Sequence, residues 1–367
     1  MLTRRQFTAS ARAIVASPLM LAGCSPAADS DNYSTVAASI RQEPPASELN
    51  GPMAVQRELV RYATLAPSSH NTQCWKFRME DKAITILPDL SRRCPAVDPD
   101  DHHLFVSLGC AAENLGHAAL AHGFGARMTF DTVADSIRTE LIPVDATRSS
   151  LFDAISMRQC TRGDFDGKPL STLELSILER AGSSDRVSLL LVTERSGMER
   201  VRDFVVQGNN AQMVDQEFLG ELRSWIRFSS DDAHRTRDGL FSLCSGNPTM
   251  PAWIGRQAFD WLISAKSEND KNSLQIRNSA GIAVFIGHAA DKAHWIEVGR
   301  CYERFALQAT ALGVRNAFLN QPVEVASLRS QFAAAMGIEG RPDLIVRFGR
   351  GPTLPPSLRR EVGAVLI

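Results

Sequence analysis

Residues 103–123 read HLFVSLGCAAENLGHAALAHG, and residues 293–313 read AHWIEVGRCYERFALQATALG. In the first stretch Leu104, Leu108, Ala111, Leu115 and Ala118 recur at helical spacing. A helix is therefore expected from about His103 to His122, stopped by Gly123. In the second, Trp295, Val298, Tyr302, Phe305 and Ala309 predict a helix from about Ala293 to Leu312. The two align at a constant offset of 190 residues, with Gly109 on Gly299, Glu113 on Glu303, Ala119 on Ala309 and Gly123 on Gly313. Any two amphipathic helices share a period. Glycines and a glutamate in register say more, and they point to a duplication.

The surroundings repeat as well. Lys76–Met79 and Ala83–Leu87 read as strands around the turn Glu80-Asp81-Lys82, and Ala126–Phe130 and Glu140–Val144 as strands after the first helix. Around the second helix the expected strands are Ala280–Ile286, Asn316–Leu319 and Asp343–Phe348. The predicted class is α+β, in two related halves at 53–147 and 148–361. Residues 201–273 have no counterpart in the first half. They contain Trp225-Ile226-Arg227-Phe228, Arg237-Asp238-Gly239 and Gly246-Asn247-Pro248, and are read as an insertion or lid.

The chain has 367 residues, 44% hydrophobic and 22% charged, with a net charge of -1. That is ordinary globular composition, with no basic excess to suggest nucleic acid. The eight histidines and seven cysteines are scattered without C-x-x-C or H-E-x-x-H spacing, so no zinc or haem site is expected. Asp98, Asp100, Asp101, His102 and His103 read as a solvated loop whose carboxylates cap the following helix.

The first 24 residues read as an address. Thr3-Arg4-Arg5-Gln6-Phe7 matches the twin-arginine export consensus, and Leu21-Ala22-Gly23-Cys24 fits a lipobox. The expectation is export through the twin-arginine machinery to the periplasm, with lipidation at Cys24. Residues 25–52 are rich in Ser, Ala, Pro, Asp and Asn, and are read as a flexible tether. The twin-arginine route carries folded proteins, which points to a prosthetic group loaded before export.

Three polar clusters stand out. Ala66-Pro67-Ser68-Ser69-His70-Asn71-Thr72-Gln73-Cys74-Trp75-Lys76-Phe77 crowds hydroxyl and amide groups between a helix end and a strand. It suits a mixed donor and acceptor ligand, or a polar turn with structural side-chain bonds. Arg158-Gln159-Cys160-Thr161-Arg162 sets two guanidiniums four residues apart, as a phosphate would need or as solvated arginines would show. Arg347-Phe348-Gly349-Arg350-Gly351 closes the last strand and is a candidate phosphate clamp.

Taken together, these clusters resemble the nitroreductase family of FMN enzymes. The first is similar to its Ala-Pro-Ser-x-x-Asn-x-Gln-Pro-Trp-x-Phe signature, the second to its Arg-x-Ser-x-Arg phosphate motif, and the third to its C-terminal basic strand. Their order, with the segment 306–325 and the tail 352–361, resembles the Acg-type branch. In that branch two nitroreductase-like halves are fused as a pseudo-dimer. The departures are Cys160 for the motif serine and Cys74 for the proline before Trp75.

The resemblance implies an FMN-dependent oxidoreductase that passes electrons to a nitroaromatic- or quinone-like acceptor. The alternative is a flavin-binding protein that sequesters the cofactor without turnover. It implies that Ser68, Ser69, Asn71 and Gln73 hold the flavin with Arg158, Cys160 and Arg162. Arg158, Arg347 and Arg350 would bind the phosphate, Arg162 the N1/O2 edge of the ring, and backbone amides near Asn320 and Gln321 would face N5. His70 is read as structural or as a peripheral contact. The chemistry belongs to the flavin, with no catalytic side chain assigned, and the pseudo-dimer leads to a monomer.

Overall fold

The computed structural model describes residues 26–367. The twin-arginine motif and the lipobox with Cys24 lie outside the described residues. Helix α1 (Pro26–Ser39) comes first, then α2 (Pro52–Thr64), the hairpin β1 (Trp75–Glu80) and β2 (Ala83–Pro88), helix α3 (His102–Ala121), and the hairpin β3 (Phe124–Asp131) and β4 (Ser136–Pro143). Helices α4 (Ser150–Ile155) and α5 (Thr172–Ala181) lead to β5 (Val187–Val192). The insertion holds α6 (Arg195–Gln212), α7 (Gln216–Trp225), β6 (Ile226–Arg227), α8 (Ser230–Thr236), β7 (Leu240–Phe241), α9 (Ala252–Leu262) and α10 (Ala265–Arg277). The chain then returns through β8 (Gly281–Gly287), α11 (Lys292–Ala311), β9 (Arg315–Phe318), α12 (Gln321–Glu324), α13 (Ala326–Met336) and β10 (Arg341–Gly349).

The two halves share one strand topology. One sheet has strand order β1-β2-β4-β3 and the other β5-β8-β10-β9, both antiparallel throughout. In each, the central helix joins the second and third strands of the half. The turn between β1 and β2 is replaced in the second half by the whole lid between β5 and β8.

The two central helices cross at their glycines, and the crossing is reciprocal. A Cβ on Gly109 would lie 2.0 Å from the Ile296 carbonyl oxygen, and one on Gly299 would lie 2.0 Å from the Val106 carbonyl oxygen. Val106 and Ile296 are themselves partners under the sequence offset, so the two helices meet through equivalent positions. Around the crossing Phe105, Leu108, Leu115, Tyr302, Phe305 and Ala309 form one core with Trp75, Phe77, Phe285 and Phe348 from the two sheets. α3 is long and apolar enough to cross a bilayer, yet its length is spent on this core, where 78% of its apolar window is buried. A second core, with Val201, Val205, Phe332 and Ile345, covers the other face of β8 and β10. Every residue of β8 is accordingly buried.

Two expectations need correction. The predicted tether at 25–52 contains α1, whose Tyr33 and Ala37 pack with Ala233, Phe241, Cys244 and Leu358. The Tyr33 hydroxyl donates to the Pro356 carbonyl at 3.0 Å. A short apolar edge of Tyr33, Val36, Ala37 and Ile40 was too sparse to read as a helix until the lid and tail supplied its partner. The acidic loop before α3 does cap that helix, since the Asp98 carboxylate accepts from the His103 and Leu104 amides. It is not solvated, however: Asp98, His102 and His103 are buried.

Candidate active site

α2 ends at Thr64 because the residue before Pro67 avoids the helical region. The chain then turns sharply into β1. His70, Asn71 and Gln73 all take positive φ, at 50°, 53° and 54°. Three left-handed non-glycine residues within four positions are strained, and the neighbouring structure must hold them there. The Asn71 amide donates to the carbonyls of Gly239 and Leu358, and its oxygen accepts from Arg359. The Gln73 amide donates to the Arg237 carbonyl and accepts from the Arg360 amide. The motif is thus clamped between the lid and the C-terminal tail.

A cleft of three adjoining cavities opens beside this turn, with volumes of about 60, 200 and 370 Å³. Arg162 and Leu240 line all three. The smallest is basic, lined by Arg41, Arg158, Arg162 and Arg359 together with Ser68, Asn71 and Cys160. The middle one is lined by Ser68, Ser69, His70, Arg162, Asn320 and Gln321. The largest lies under the lid, among Met213, Phe218, Leu222, Ile226, Phe228 and Met250. The cleft therefore grades from cationic to apolar, with polar groups between.

The guanidiniums differ in how they are engaged. Arg158 is buried, with its Nε 3.0 Å from the Glu303 carboxylate and a bond to the Leu65 carbonyl. Burial works against its charge, but Glu303 and Tyr302 outweigh that and raise its pKa. Arg359 donates to the carbonyls of Thr64, Leu65 and Ala66, and burial drives its pKa down. Burial likewise lowers Arg41, to about 10. Arg162 differs: its side chain makes no hydrogen bond or ion pair among the described residues, so its charge is left for the cleft. Burial first, and Arg162 second, push the His70 imidazole down to about 4, so it is neutral at physiological pH.

The sequence-predicted residues divide accordingly. Ser68, Ser69, Asn71, Arg158, Cys160, Arg162, Asn320 and Gln321 line the cleft. Gln73 is fully buried and spends its amide on the lid and the tail. Arg347 is turned away: it lies 4.2 Å over the Phe165 ring and donates to the carbonyls of Thr161 and Gly163. Arg350 pairs with Glu174 outside the cleft. A strand-end arginine reads the same whether its head meets a ligand or a loop carbonyl, so the sequence pattern overstated the clamp.

Arg41 and Arg359 were missed, although Arg359 lies in the tail already noted for its resemblance. Arg41 bonds the Ala37 and Ser357 carbonyls from the end of α1. A chain starting at residue 42 is expected to fold and to hold an anion at the basic end roughly 10-fold more weakly. Titration with inorganic phosphate by calorimetry checks this.

Comparison with known proteins finds relatives and solved structures that are named as nitroreductases. No family model matches the sequence. It is 26% identical, over 324 residues covering 84% of this chain and 90% of the relative, to "Putative NAD(P)H nitroreductase Rv3131" of Mycobacterium tuberculosis H37Rv. To "Putative NAD(P)H nitroreductase acg" of the same strain it is 24% identical over 319 residues, 84% of this chain and 93% of that one. Among solved structures, a nitroreductase with bound FMN from Desulfitobacterium hafniense aligns at 14% identity and TM-score 0.38, covering 58% of this chain and 96% of its own. The FMN-dependent nitroreductase NfnB from Mycobacterium smegmatis, in complex with NADPH, aligns at 16% and 0.38, covering 55% and 87%.

Proposed function

We propose that the protein binds FMN in this cleft and acts as a nitroreductase-type oxidoreductase. Electrons pass from a reductant, through the flavin, to a nitroaromatic- or quinone-like acceptor. One observation carries the reading: Asn71 from the first half and Arg158 from the second line the same cavity.

The residues present fit the group. The cationic end suits a phosphate dianion, which takes charge-assisted bonds from guanidiniums. The His70 Nε2 and Gln321 Oε1 atoms are buried without a protein partner, and both residues line the middle cavity, where a ring edge with mixed donors and acceptors would use them. When bound, flavin supplies hydride and electron transfer. Arg162 places an uncompensated positive charge in the same space, which favours a reduced, anionic ring. The lid chamber offers an acceptor an apolar wall of Met213, Phe218, Leu222, Ile226, Phe228 and Met250.

The protein purified from its full chain is expected to be yellow and to bleach with dithionite. Nitrofurazone or a quinone should then restore the colour. A colourless protein that does not take up added FMN sinks the reading, and a yellow one that no acceptor reoxidises is a flavin store. The internal pairing of halves replaces a dimer interface, so the working form is a monomer. Residues 3–7 and 21–24 support export and lipidation at Cys24. Cell fractionation of a Cys24→Ala chain tests this, with loss of membrane attachment expected.

A further inference from the structure

Glu324 stands where the middle cavity meets the lid chamber and lines both. It closes the single turn of α12, directly after the Asn320-Gln321 step that walls the middle cavity. α6 of the lid comes close there because Gly208 allows it. A Cβ at Gly208 would lie 2.8 Å from the Gln321 backbone. From α6, the Gln212 amide donates to Glu324 Oε2 at 2.7 Å. The Glu324 side chain makes no other hydrogen bond or ion pair among the described residues. Its carboxyl therefore has one oxygen oriented by the lid and the other left for the cleft.

We propose that Glu324 is the general acid that protonates the acceptor as it is reduced. The inference rests on the flavin reading and adds the proton that reading leaves unassigned. A quinone that gains a hydride from the reduced flavin takes two electrons and one proton, and its second oxygen is left with a negative charge. The Glu324 O–H bond breaks, its proton forms the second O–H of the hydroquinone, and the carboxylate takes a proton back from water. A hydride donor of the nicotinamide class, or an equivalent reductant, would supply the electrons that a bound flavin passes on.

The surroundings favour this group over its neighbours. Burial pushes the Glu324 carboxyl up to about 7, supported by the negative charges of Asp98 before α3 and Glu221 on α7, and opposed by the Gln212 bond and by Arg329 on α13. His103 is held well below its usual range, chiefly by burial, and Cys110 is raised well above its own. His70, neutral as described, has no proton of suitable acidity to give. Arg162, Glu268 and Lys271 complete the charged groups around the two spaces. An acid donates from its protonated form. The proton is thus available below about pH 7 and lost as pH rises through that value.

The test uses the full chain with glutamate labelled at the side-chain carboxyl carbon. By NMR, the native protein should show resonances titrating near 7 for both Glu324 and Glu303, which burial also raises to about 7. Only the Glu324 resonance should be missing from Glu324→Gln, whose side chain retains the shape and the Gln212 contact. In the flavin-loaded protein, Glu324→Gln should slow reoxidation by menadione about 100-fold. Bleaching by the hydride donor should be unaffected. The native rate should fall above pH 7, and the variant's should be independent of pH. If the resonance lost on substitution titrates near the ordinary glutamate value of 4.5, or if menadione reoxidises both proteins equally fast, Glu324 is not the acid. A chain that never takes up flavin removes the oxidoreductase reading itself, and the visible spectrum shows that separately.

Discussion

Gly299→Ala is expected to cost the fold about 3 kcal/mol or more, enough to leave a protein of ordinary stability close to unfolding. The added methyl would sit 2.0 Å from the Val106 carbonyl oxygen and 2.8 Å from its carbon. Both atoms are backbone, so no rotamer change relieves the overlap. The two central helices must separate, and the contacts of Phe105, Leu108, Tyr302 and Phe305 loosen with them. Gly109→Ala should behave alike, since its Cβ meets the Ile296 carbonyl at the same 2.0 Å. Gly220→Ala is the control. It lies within α7 with nothing within 4 Å of the new atom, so it should stabilise by about 0.5–1 kcal/mol. Thermal melts of the three variants should show two large losses and one small gain. A Gly299→Ala protein that melts with the native one would mean that the helices do not cross at these glycines.

Arg162→Ala is expected to weaken FMN binding by roughly 10- to 100-fold, the loss of about 1.5–3 kcal/mol for a hydrogen bond to a charged group. It lines every part of the cleft and has no partner of its own among the described residues, so the loss falls on the ligand rather than on the fold. Arg158→Ala should also release flavin, but with a lower melting temperature, because it strips the buried Glu303 of its counter-ion. Arg350→Ala should leave flavin affinity unchanged, since that side chain is engaged with Glu174 away from the cleft. Quenching of free flavin fluorescence measures each affinity. An Arg350→Ala protein that lost its flavin while Arg162→Ala retained it would invert the assignment.

The contrast between Arg162 and Arg347 shows where reading the chain directly reaches its limit. Both occur in basic clusters beside small residues, and both suit a phosphate on paper. The loop through Thr161 and Gly163 folds back so that its carbonyls receive the Arg347 head, while the Arg162 head is left in the open cleft. Glu324 was silent for a related reason: a lone glutamate after a proline turn has no pattern, and its position between two cavities exists only once α6 lies over Gln321. The Gln73 amide, in the motif itself, went to the lid and the tail rather than to the cleft.

What the amino-acid order determined by itself is periodic or repeated. Apolar spacing marked the two central helices, the turn Glu80-Asp81-Lys82 marked the first hairpin, and the constant offset between Gly109 and Gly299 marked the repeat. These are local properties, legible because each residue's role depends on neighbours a turn or a strand away. The tertiary structure alone decided which charged heads face the cleft, that the segment after α1 brings Arg41 into it, and that Glu324 joins its two larger chambers. Those outcomes depend on partners tens to hundreds of residues distant, and a side chain's direction is set by the packing that closes around it.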